Sequence, residues 1–250
     1  MGLALEHHPA RADTTRQFRV GVVGLGAGTI AAYANSRVDP GEREGSYVTR
    51  RAAGEPDYLR FYELNPMVTS WAQDRFSYLS DAEERGVDIG VFQGDARIVL
   101  ERQLEQGDAQ RLDVLAIDAF SGDAIPIHLL TLESIEVYLA HMRGDGILAI
   151  HVTNRFVDLL PIVRSLQDAT GLRAIHVRNR AVPTRDVSSS SWVLLTRNQA
   201  FLDVDAVRED DACCWAAMDG RLQQPLRHLG PRRMSGEATA ESGRAKSALI

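Results

Sequence analysis

Short apolar runs recur along the chain, the first four ending at or within two residues of a glycine, proline or acid: RVGVV at 19–23, YLRFYEL at 58–64, VDIGVF at 87–92, DVLAID at 113–118, ILAIHV at 147–152, LRAIHV at 172–177 and SWVLLT at 191–196. Runs of this length, rich in β-branched residues, predict strands, the continuous ones buried on both faces. Helical spacing fills the intervals. Pro66 suits a first helical turn and is followed by an apolar face of Val68, Trp71, Ala72 and Phe76. Ile98, Val99 and Leu104 mark a helix after Asp95, and Leu132, Ile135, Val137 and Leu139 mark one over 129–142. Gly144-Asp145-Gly146 reads as the turn into the fifth strand, and Gly171 as the stop of a helix over 156–169. Such alternation predicts an α/β fold: an open, mostly parallel sheet with helices on both faces and ligands beyond the carboxyl ends of its strands.

The remaining stretches carry less pattern. Residues 1–17 read as a short helix fragment or a frayed end, and 30–35 as a small-residue helix. Residues 36–57, rich in glycine, proline and charge, read as a long surface loop, either a lid or an inert insertion. Residues 204–218 suggest one or two helices anchored by Trp215, and 223–229 a further short piece. The expected organisation is a short N-terminal segment (1–17), one catalytic domain (18–229) and a disordered tail (230–250).

Composition narrows the partners. A net charge of −6 and a pI near 5.7 argue against a general nucleic-acid binder and accord with a small cationic substrate. No stretch approaches the roughly 20 apolar residues of a membrane span, and the start lacks the pattern of a signal peptide, so a cytoplasmic protein away from membranes is expected. Cys213 and Cys214 are adjacent, which disfavours both a disulfide framework and a four-ligand metal site. The histidines lack ligand spacing, with no acid or cysteine matched to them; His151 and His176 read as hydrogen-bonded structural residues, Trp192 as core, and 188–191 as a polar turn.

The strand ends carry the candidate chemistry. Gly24, Gly26 and Gly28 close the first strand, so main-chain N–H groups can approach a ligand without a Cβ in the way, or simply turn the chain. Glu63 ends the second strand beside that turn, where it can accept both hydroxyls of a ribose or stand as a solvated acid. Asp95, after the third, can cap a helix, accept a hydrogen bond from an exocyclic amine such as that of adenine, or do both. Asp118 ends the fourth, and Asp123 follows in a loop marked by Gly122 and Pro126. Acids at successive strand ends are more than strand-end solvation explains.

The ordered set VGVVGLGAGT, FYELNP, QGDAR and DVLAIDAFSGDAIP resembles the spermidine synthase-like (polyamine aminopropyltransferase) family, over about residues 19–198. The resemblance implies the class I S-adenosylmethionine methyltransferase-like fold, a Rossmann-like seven-stranded sheet with an antiparallel last strand. It implies decarboxylated S-adenosylmethionine as donor, a small cationic amine such as putrescine as acceptor, no metal, and a possible homodimer. By the same resemblance Gly24, Gly26 and Gly28 line the donor, Glu63 with Leu64 holds the ribose, Asp95 with Ala96 the adenine, and Asp118 is the base. Asp123 stands with Asp118 as a catalytic candidate, for the family's second loop aspartate that holds the diamine. It comes five residues after Asp118 instead of the family's three, and the family's β-rich N-terminal region has no counterpart in the roughly 18 residues before the first strand. Two alternatives stand beside aminopropyl transfer: a methyltransferase using intact S-adenosylmethionine, which shares the turn and Glu63, and a non-catalytic nucleoside-binding or interaction module, favoured by the absent N-terminal region.

Overall fold

The computed structural model describes residues 1–34, 55–120, 125–154, 157–179 and 189–211. Asp123, the cysteines, Ser188, Trp215, the tail and nearly all of the 36–57 loop lie outside the described residues, as do the sequence expectations for them. Seven strands form one sheet: β1 (Arg19–Val23), β2 (Tyr58–Glu63), β3 (Asp88–Gln93), β4 (Leu112–Ile117), β5 (Met142–His151), β6 (Arg173–Asn179) and β7 (Ser190–Thr196). Their order is β3-β2-β1-β4-β5-β7-β6; β1 to β5 pair in parallel, and β7 runs antiparallel to both of its neighbours. This is the open, mostly parallel sheet that the alternation of elements implied, with the antiparallel last strand that the resemblance implied.

Period-two alternation splits the strand side chains between two buried layers. Val20, Val22, Leu59, Phe61, Val114, Ala116, Ile147 and Ala149 face one layer. Leu112, Leu115, Ile117, Leu148, Ile150, Val193 and Leu195 face the other. The second layer is covered by α4 (Ala96–Glu105), α5 (Leu132–His141) and α6 (Leu160–Thr170), through residues such as Leu100, Ile135, Tyr138, Val163 and Leu166. Gly171 ends α6 in the left-handed region with its N–H on the Gln167 carbonyl, as a helix-stopping glycine does.

The first layer is covered by α2 (Pro66–Arg75), α3 (Tyr78–Glu84), part of the C-terminal pair α7 (Gln199–Leu202) and α8 (Asp205–Asp211), and the chain's own beginning. The N-terminal stretch is not frayed. It forms α1 (Gly2–Glu6) and a 3-10 turn (Pro9–Ala12), burying Ala4, Leu5, Ala10 and His8. Polar contacts fasten it: Arg11 pairs with buried Asp57, Arg16 makes two 2.8 Å hydrogen bonds to buried Asp113, and His8 donates from Nε2 to the Asp145 carbonyl. Isolated apolar residues without periodicity gave no hint of this packing, because their partners lie on distant strands.

Other expectations also shift. The anticipated helix at 30–35 is a 3-10 turn, Thr29–Tyr33, started by left-handed Gly28 and ended by extended Ala34. Trp71 and Phe76 are 54% and 46% exposed, leaving Ala72 as the buried residue of α2, a ten-residue helix that packs against β2 and α3. Gly144-Asp145-Gly146 is not a turn: α5 passes directly into β5 at Met142, with a register irregularity opposite Leu112 and Val114. No helix among the described residues is long and apolar enough to cross a membrane.

Candidate functional site

The parallel register brings the strand ends into one row. Val23 lies beside Tyr62 and Ile117, Glu63 beside Gln93, and Ile117 beside Ile150. One residue beyond, the ladder continues with Gly24 N–H on Tyr62 O, Gly94 N–H on Glu63 O and Asp118 N–H on Val23 O, each 2.8 Å. Asp95, Glu63, the glycine turn, Asp118 and His151 therefore leave neighbouring strands at the same carboxyl edge.

Gly24 has φ +95°, and a Cβ there would stand 2.5 Å from the Asp118 carbonyl oxygen, so close approach of β1 to β4 requires glycine. Gly26, at φ +53°, has no atom within 4 Å of where a Cβ would be, which leaves the crest of the turn open. Gly28 starts the following 3-10 turn and packs against Leu79.

Glu63 is buried and clamps this turn. Its Oε2 accepts from Leu25 N–H at 3.0 Å and its Oε1 from Asn65 N–H at 2.8 Å, so one carboxylate ties the loop after β1 to the loop after β2. Each oxygen keeps a further acceptor direction. Leu64, 67% exposed, presents an apolar side chain beside it. Asp95 caps α4 through Oδ1 and Ile98 N–H at 3.2 Å, while its Oδ2 lies 2.9 Å from His128 Nε2. Ala96 is buried, so its first-turn N–H is the group it can offer a ligand.

Asp118 is 29% exposed, and its Oδ1 lies 2.7 Å from His151 Nδ1. His151 stacks on Trp192 at 4.3 Å and 6°, meets the Phe120 edge at 5.0 Å, and reaches Thr153 Oγ1 with Nε2 at 2.9 Å. The sequence offered no histidine an acid at ligand spacing, yet the fold gives two of them an acid as hydrogen-bond partner, His151 with Asp118 and His128 with Asp95. For the first a sequence signal existed. Leu115-Ala116-Ile117-Asp118 and Leu148-Ala149-Ile150-His151 are the same tripeptide with different ends, and the register sets them side by side. For His128, in the 3-10 turn Ile127–Leu130, no spacing pointed to Asp95.

His8, His141 and His176 are structural. His141 accepts Gln110 N–H on Nδ1 and donates from Nε2 to Leu100 O; burial pushes its pKa below the ordinary 6.5. Burial lowers those of His8 and His176 too. Among the described residues no group of three or more His, Cys, Asp or Glu is placed to hold a metal ion.

No family model matches the chain. A curated polyamine aminopropyltransferase of Vibrio vulnificus (strain CMCP6) is 27% identical over 138 residues, 55% of this chain and 38% of that protein. A spermidine synthase solved with the transition-state analogue AdoDATO superposes with a TM-score of 0.53 at 13% identity, over 89% of this chain and 65% of its own. Human methyltransferase-like protein 13, solved with SAH, superposes at 0.51 and 15% identity, over 78% of each chain. The chain therefore spans about two fifths of its curated relative, and it shares the fold common to these transferases.

Proposed function

We propose that the carboxyl edge binds a nucleoside sulfonium and that the chain is an aminopropyltransferase, moving the aminopropyl group of decarboxylated S-adenosylmethionine to a small cationic amine. The observation that carries this reading is the row formed by Glu63, the open glycine turn and Asp118, with Gly24 pressed against the Asp118 main chain. The polyamine aminopropyltransferase and the spermidine synthase among the similar proteins support the donor class.

The residues present fit such a ligand. Gly26 leaves room for it, Glu63 has acceptor capacity left for ribose hydroxyls, and exposed Leu64 offers an apolar surface to a base. An adenine amine reaching Asp95 would share Oδ2 with His128. The donor supplies a carbon activated by its sulfonium. A protonated amine has no lone pair with which to attack that carbon, so Asp118 takes a proton from nitrogen first, and the freed lone pair then forms the C–N bond. The C–S bonding pair stays on sulfur, which leaves as a neutral thioether and needs no acid.

Calorimetric titration with decarboxylated S-adenosylmethionine, methylthioadenosine and intact S-adenosylmethionine tests the donor. Binding of the first two, with the intact donor weaker, is expected; tighter binding of the intact donor would replace aminopropyl by methyl transfer. Binding without turnover on putrescine or any other amine offered would leave a nucleoside-binding module.

A further inference from the structure

We infer that His151 is a positioning residue for Asp118: its Nδ1–H holds Oδ1 so that Oδ2 is aimed at the incoming amine. The inference rests on the aminopropyl-transfer reading for its consequence, and on hydrogen-bond geometry for the pairing itself.

The chain of contacts assigns the imidazole proton. At 2.7 Å from a carboxylate oxygen an unprotonated Nδ1 would set lone pair against lone pair, so Nδ1 carries the hydrogen and donates. On the other side, Thr153 Oγ1 already accepts the Ser191 N–H at 2.7 Å, and its own hydroxyl hydrogen can turn toward His151 Nε2 at 2.9 Å. A neutral imidazole is thereby satisfied at both nitrogens, with the Nδ1–H tautomer selected. Its plane is set by Trp192 on one face and the Phe120 edge.

Asp118 lies just past β4, where a side chain without a partner would choose among rotamers. With Oδ1 held by an imidazole fixed on three sides, the carboxylate has one orientation, and Oδ2 makes no hydrogen bond among the described residues. Both nitrogens of His151 are engaged, so it acts through Asp118 and not on the substrate. Placement to within about 1 Å is worth on the order of 10²-fold in rate, so this ordering matters for the proton transfer that frees the amine lone pair beside the reacting carbon.

Two substitutions separate the donor from the stack. His151→Phe keeps a ring on Trp192 and removes the N–H; His151→Asn loses the ring and keeps an N–H donor at the place of Nδ1. Expected are a kcat about 10- to 100-fold lower for His151→Phe, KM values for donor and amine within about 3-fold, and most of the rate restored in His151→Asn. A wild-type rate in His151→Phe, or equal losses in both variants, would overturn the inference. Nitrogen-15 NMR of the wild-type protein reads the pairing independently of turnover. A downfield Nδ1–H on His151 that moves on Asp118→Asn is expected; if it is present while no amine is a substrate, the transfer reading has failed and the pair stands, and if it is absent the pair has failed.

Discussion

At the amino end of the sheet, buried Asp57 and Asp113 are met by Arg11 and Arg16, whereas at the carboxyl end Asp95 and Asp118 are met by His128 and His151 and Glu63 by main-chain N–H groups. The difference is one of commitment. Asp113 is fully buried; Oδ1 takes Arg16 at 2.8 Å with Arg143 at 3.5 Å, and Oδ2 takes both Arg16 and the Arg19 N–H. Its whole capacity goes to tying the N-terminal segment, β1 and β5 to β4. Asp118 gives one oxygen to an imidazole and leaves the other without a hydrogen bond among the described residues. Acids of the first kind hold a fold together, and acids of the second kind remain able to meet a ligand.

Substitutions at the two ends should therefore separate turnover from stability. The largest effect is expected for Asp118→Asn, which should lower aminopropyl transfer by about 10²- to 10⁴-fold with donor affinity retained and a change of less than about 1 kcal/mol in denaturant stability, since the pair it breaks is partly exposed. Next is Asp113→Ala. It strands Arg16 and Arg143 beside a buried hole and should cost about 3 kcal/mol in urea unfolding, the lower end for a broken buried pair because Arg16 can turn to water, with little change in ligand affinity per folded molecule.

Gly24→Ala should cost about 2 kcal/mol and weaken donor binding, from a positive φ and a Cβ driven into the Asp118 carbonyl; Gly26→Ala, at positive φ but in open space, should cost no more than about half of that. Paired melting curves would check the ratio. Glu63→Gln exchanges one acceptor for a donor facing an N–H, and should weaken methylthioadenosine binding about tenfold by calorimetry.

The smallest effect concerns pH. Burial holds His8, His141 and His176 below 6.5, so the unfolded chain binds more protons than the folded one in the window beneath that value. Their stabilising contribution is complete above pH 6.5 and is lost as the pH falls through the lowered folded values. The unfolding midpoint should decline on acidification from about pH 7.5 toward 5.5, and the C2–H resonances of these histidines should titrate later than that of a surface histidine.

Much of the site was legible because strand ends are local features: an apolar run that stops at glycine or an acid identifies Gly24, Glu63 and Asp118 without knowledge of their neighbours. The repeated Leu-Ala-Ile before Asp118 and His151 was available too, but became meaningful only once β4 and β5 were known to be adjacent and in register. Asp95 resolves as both a cap and a partner of His128, of which only the cap was local. The packing of residues 1–12 and the exposure of Trp71 and Phe76 were not legible, since each depends on which surface happens to lie opposite.

Sequence alone determined the number and kind of strands, their buried faces and which acids and glycines end them, because periodicity and strand-ending residues act over a few neighbouring positions. Tertiary structure alone decided which acids are closed by arginine and which are shared with an imidazole. Those partners lie 33 to 97 residues apart in the chain, and only the sheet order brings them within a hydrogen bond.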